Sequence, residues 1–146
     1  MPVLRADPSR SGRSRWGWLL LAIGVALLAG CATTDSGPLR VLSTDPLAHL
    51  ALEGGDLLRR SEQDAGRALG KPRRAQILQT FVPKPGVSLS ELQSEAEARA
   101  TGAGWVLQPS DEGVRARRQQ DGLTVALSIY RQYAGEPRLI VALRQE

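Results

Sequence analysis

The chain has one cysteine, one histidine, one methionine and six aromatic side chains in 146 residues. With a single cysteine there is no internal disulfide, so the fold must be held by packing. With a single histidine, His49, there is no multi-histidine metal site. No carboxylate cluster stands beside it in the sequence, so it reads as a surface or half-buried side chain. A glycine-rich phosphate loop, zinc-ligand spacing and a Gly-x-Ser-x-Gly nucleophile elbow are all missing. No catalytic residue, no metal ligand and no cofactor is therefore expected. Long apolar runs are missing too. The longest covers residues 16–29, short of the roughly 20 residues a spanning helix needs.

What is present is divided sharply at Cys31. Residues 1–15 are polar and basic, and residues 16–29 are almost continuously apolar. That order is a charged region followed by a short hydrophobic region, as in an export signal, and the flanking arginines keep the N-terminal end inside. Four arginines and one aspartate fall in the first 30 residues, a net +3. The remaining 116 residues hold 15 basic and 14 acidic side chains, so the pI near 10.0 is largely a property of the leader. A nucleic-acid partner is not indicated for the rest.

Leu28-Ala29-Gly30-Cys31 closes the apolar run and resembles the lipobox of bacterial lipoproteins. The chemistry explains the residue types. A thiol is the nucleophile that takes a diacylglycerol group as a thioether, and small side chains before it let the backbone enter the peptidase. The resemblance implies lipidation at Cys31 and cleavage between Gly30 and Cys31. It also implies a location: lipid-anchored at the cell membrane and outward facing. Ala32 follows the cysteine where an aspartate would retain a lipoprotein, so the outer membrane is expected in a two-membrane cell. Two or more acyl chains give stable attachment, whereas one does not.

Three regions are expected: a signal peptide over 1–30, a lipidated cysteine and flexible tether over 31–45, and a small domain over 46–146. The tether reading rests on Ala32-Thr33-Thr34-Asp35-Ser36-Gly37-Pro38, small, polar and rich in breakers. Asp45-Pro46 is a helix start, with Asp45 as the cap. Residues 56–62 suit a short strand, and 64–66 and 70–72 suit loops. Residues 75–82 are β-branched and aromatic enough for a strand. Ser88 with Glu91 forms a capping box, with Val87 and Leu92 as a staple, ahead of apolar positions at Leu89, Leu92, Ala96 and Ala100. After Gly102 and Gly104 the period changes to two. Strands are expected over 105–107, 114–119, 123–130 and 139–143, with Asp121-Gly122 as a tight hairpin turn. The fold class is α+β: one main helix packed on a mostly antiparallel sheet in two layers.

Two basic groups stand out in the domain. Arg73 and Arg74 belong to a locally basic region that also holds Arg59, Arg60 and Lys71. Arg115 and Arg117 share one side of their strand, with Arg131 as a neighbour by sequence. Both groups suit contact with an anionic surface, although arginines on outward strand faces also guard edges against aggregation. The arrangement of lipobox, tether, and a helix ending in Gly-Trp before antiparallel strands resembles small uncharacterised actinobacterial surface lipoproteins. It implies a lipid-anchored accessory or binding lipoprotein of the envelope, whose partners are the membrane and an envelope protein or anionic polymer. The alternative is a small-ligand or lipid carrier, which requires a hollow between helix and sheet. Labelled fatty acid fed to expressing cells should enter the wild-type protein and not Cys31→Ser; equal labelling of the two would refute lipidation at that residue.

Overall fold

The structure is a computed structural model that describes residues 37–146. The leader, Gly30 and Cys31 lie outside the described residues. Six strands form one antiparallel sheet: β1 (Gly55–Gln63), β4 (Gln76–Pro83), β5 (Gln108–Ser110), β6 (Gly113–Gln120), β7 (Leu123–Gln132) and β8 (Arg138–Gln145). Their spatial order is β1-β4-β8-β7-β6-β5. A small separate hairpin, β2 (Gly66–Ala68) and β3 (Lys71–Arg73), is inserted between β1 and β4. The chain is α+β, a mostly antiparallel sheet with one main helix.

That helix, α2 (Leu89–Gly102), follows β4. Both halves of its capping box are formed: Ser88 Oγ accepts from Glu91 N–H, and the Glu91 carboxylate accepts from Ser88 N–H at 2.7 Å. The backbone bond from Ser88, followed by that from its hydroxyl, holds the Glu91 carboxyl below its ordinary value. Leu92, Ala96 and Ala100 are fully buried, as the helical spacing predicts, while Leu89 is half-buried. Glu95 on the same helix is half-buried. Its carboxylate accepts from the Glu53 and Gly54 N–H groups at 2.6 and 2.9 Å and fastens the approach to β1.

The core lies on one sheet face. Ile77 and Phe81 of β4, Val125, Leu127 and Ile129 of β7, and Leu139, Val141 and Leu143 of β8 meet the helix in a single apolar cluster. β8 is central and buried on both sides, with Ile140 and Ala142 facing away from that cluster. The β6–β7 hairpin turns at Asp121-Gly122 with both φ angles positive, +47° and +79°, as a type I′ turn requires.

Two expectations are corrected and one, the helix start capped by Asp45, is found. The expected tether runs to residue 45, but Pro38–Ser43 forms a helix, α1, with Leu42 fully buried against the sheet. Proline at the first helical position and apolar side chains at Leu39 and Leu42 explain it. The helix start at Asp45 is a single 3-10 turn, Pro46–His49, with Asp45 accepting from Leu47 N–H at 2.8 Å. Residues 105–107 form no strand; Trp105 turns into the core and pairing begins at Gln108.

Alanine dominates the buried stripe of α2, so the helix alone covers the core thinly. The N-terminal segment completes the cover with Leu42, Leu47, Ala48, Leu50 and Leu52. Arg118 on β6 fastens it. Its guanidinium donates to Asp45 Oδ2 at 2.5 Å and to the Ala103 carbonyl at 3.0 Å, and it lies 4.2 Å from the centre of the Trp105 ring. Asp45 is 1% exposed. Arg118→Met should therefore destabilise the protein by about 3 kcal/mol, because a buried carboxylate loses its counter-charge. Adding Asp45→Asn, which keeps a capping side chain, should recover most of that loss in urea unfolding. A single variant as stable as wild type would contradict this role.

Candidate anion-binding trough

The sheet face opposite the core carries a depression of about 580 Å³. Strand alternation explains its make-up. On β6, Ala116 points into the core and Arg115 and Arg117 point away from it. On β7 the core side takes Val125, Leu127 and Ile129, which leaves Ala126, Ser128 and Tyr130 on the open side. On β8, Ile140, Ala142 and Arg144 share that open side.

Register then sets the rows. Arg115 pairs with Ser128, which pairs with Ala142, which pairs with Leu78. In the next row Arg117 pairs with Ala126, Ala126 with Arg144, and Arg144 with Gln76. The floor between the arginines thus includes Ala126 and Ser128, among the smallest side chains available. Arg117 and Arg144 stand two strands apart, about 9–10 Å, with only a methyl group between them. Arg73 and Arg74 reach the same depression from the end of β3. Gln63 Nε2 donates to the Arg74 carbonyl at 3.2 Å and holds that connection in place.

All four arginines singled out from the sequence therefore line one depression, although more than 40 residues of chain separate the two pairs. Arg144 joins them. Sequence reading missed it because the last strand was ended at Leu143; the alternation Ile140, Ala142, Arg144 was the available signal. Arg131 does not join them. It pairs with Leu139 on the core side of the sheet and sits 5.9 Å from the Tyr133 ring.

The charge balance is one-sided. Five arginines line the depression against one acid, Glu146, which pairs with Arg117 at 2.9 Å. Arg73, Arg74, Arg115 and Arg144 make no ion pair among the described residues. Several basic residues elsewhere are matched: Arg99 with Glu53, Lys84 with Asp56, Arg60 with Glu62 and Arg138 with Glu136. Guanidinium groups present paired donors that suit carboxylate and phosphate oxygens in two-point contact. The arrangement can hold an anion with more than one charged group, spaced on the scale of two strands.

The side chains suited to other chemistry lie elsewhere. His49 is held on the core side of the sheet, where Arg60 Nη1 lies 2.6 Å from its Nδ1. Among the described residues, no three His, Cys, Asp or Glu side chains are grouped closely enough to hold a metal ion. Depressions of about 560 and 630 Å³ lie at the β5 edge and the β7–β8 end, and neither these nor the trough is lined by Leu92, Ala96 or Ala100 of α2. No protein-family model, no curated protein and no solved structure matches the chain.

Proposed function

We propose that this chain is a lipid-anchored binding lipoprotein of the bacterial cell envelope, an accessory module rather than an enzyme. Cys31 carries the lipid, and the domain faces outward from the cell membrane, or from the outer membrane in a two-membrane cell. Its open sheet face takes the phosphate or carboxylate groups of an anionic envelope polymer or of an acidic segment of an envelope protein. The observation that supports this reading is the convergence of Arg73, Arg74, Arg115, Arg117 and Arg144 on one depression with a single acid.

The test uses the mature chain and short-chain polyphosphate, with titration calorimetry at two salt concentrations. Charge-assisted hydrogen bonds contribute about 1.5–3 kcal/mol each, so replacing Arg115 and Arg117 together by alanine should weaken binding at least tenfold. It should also flatten the salt dependence, since fewer counter-ions are exchanged. The control is Arg99→Ala with Arg131→Ala, the same change in net charge made outside the trough. Equal weakening by both pairs, or binding indifferent to salt in the wild type, would sink the reading.

A further inference from the structure

The β2–β3 hairpin carries an apolar residue where a turn ordinarily carries a polar one. Leu69 is fully exposed at the hairpin tip. Its φ is +50°, a conformation usually left to glycine or asparagine. A side chain built on Gly66 or Gly70 of the same hairpin would meet nothing within 4 Å, so its surface is open. Beside the tip stand Arg67 and Lys71, while Arg73 lies opposite Gly66 at the hairpin base; all are exposed and without an ion pair among the described residues. A bare leucine ringed by cations matches the boundary of an anionic bilayer, where an apolar tip enters and basic groups meet phosphates.

The path of the chain singles out the same end of the molecule. Asp64, which leads into the hairpin, accepts from the Leu39 N–H at 3.3 Å and from the Ala65 N–H at 2.7 Å. Its carboxylate lies about 3.2 Å from where a side chain on Gly37 would begin. The first described residue and the hairpin base are therefore neighbours. Cys31 lies six residues before Gly37, a reach of roughly 20 Å at full extension. The ten residues of β7 alone span about 33 Å, and its far end, beside Tyr133, lies at the opposite end of the sheet from Gln63 and Gln76.

The geometry points to the β2–β3 hairpin as a membrane-docking element: Leu69 enters the headgroup boundary of an anionic leaflet while Arg67 and Lys71 contact its phosphates. This rests on Cys31 being the lipidated residue. It makes the membrane a second, non-covalent partner, and it fixes which end of the domain meets the lipid. The arginine trough, on the side of the open face nearest the hairpin base, then opens close to the membrane surface.

Acylated protein is reconstituted into vesicles of phosphatidylglycerol and phosphatidylcholine, and its mass is read first. Cys31 is blocked by its lipid, so Leu69→Cys supplies a single thiol for an environment-sensitive fluorophore. Ala134→Cys, exposed at the opposite end of the sheet, is the comparison. The fluorophore at 69 should shift to the blue and be quenched by lipid-borne quencher, whereas that at 134 should stay water-like. Neutralising Arg67 and Lys71 with glutamine should reduce the docked fraction about fivefold per charge. Water-like signals at both positions on acylated protein would overturn the docking, as would equal signals on vesicles of phosphatidylcholine alone. An unacylated mass would overturn the anchor itself and the orientation with it.

Discussion

One ion pair carries an unusual share of this fold. The Arg118 guanidinium joins the N-terminal segment to the turn that follows α2: it reaches Asp45, the Ala103 carbonyl and the face of Trp105. The need for it follows from composition. The helix that should cover the sheet buries one leucine and two alanines, too narrow a stripe for a six-stranded sheet. The segment from Pro38 to Leu52 supplies the missing apolar surface, but it is short and holds only one turn or two of helix. Gln79, itself buried, donates to the Leu47 carbonyl at 2.6 Å, and Gln120 donates to the Val41 carbonyl at 3.1 Å. Together these polar anchors hold a weakly helical segment against the core, and Arg118 is the one among them that brings a charge to a buried partner.

With one face closed in this way, the other is left to the side chains that strand alternation delivers. Its middle is apolar and small, and its lower end is strongly basic. Like charges in one depression repel, and a surface arranged for stability alone would intersperse acids, as the pairs at Arg99, Lys84 and Arg138 do. In the trough Glu146 answers only one of five arginines. Two strand spacings set the backbones of Arg117 and Arg144 about 9–10 Å apart, near the screening length at physiological salt. That separation also leaves room for a ligand. The same end of the domain carries the basic hairpin and the first described residue, Gly37, so positive charge gathers at one end of the sheet.

Much of the fold was legible because its signals are local. The capping box at Ser88 and Glu91, the Asp121-Gly122 turn and the alternation from Leu123 to Ile129 each act within a few residues. Each appears in the structure where the sequence puts it. What was not legible depends on partners far away. Leu42 belongs to the core only because β4 and β8 lie beneath it, and a six-residue helix has too little periodicity to announce itself. Trp105 reads as strand by propensity, yet Arg118 and the core draw it inward. The trough was half legible. Alternation set Arg115 and Arg117 on one side of their strand, but only the pairing of β8 between β4 and β7 brings Arg144 opposite them and Arg73 and Arg74 alongside.

The account stands on whether those arginines act together on an anion. The most direct measurement follows the arginine Nε–H signals by nuclear magnetic resonance while short-chain polyphosphate is added to the mature protein. The account predicts that Arg115, Arg117 and Arg144 shift together along one saturation curve, with Arg99 and Arg131 unmoved. Shifts spread evenly over all exposed arginines, or none at saturating ligand, would contradict it.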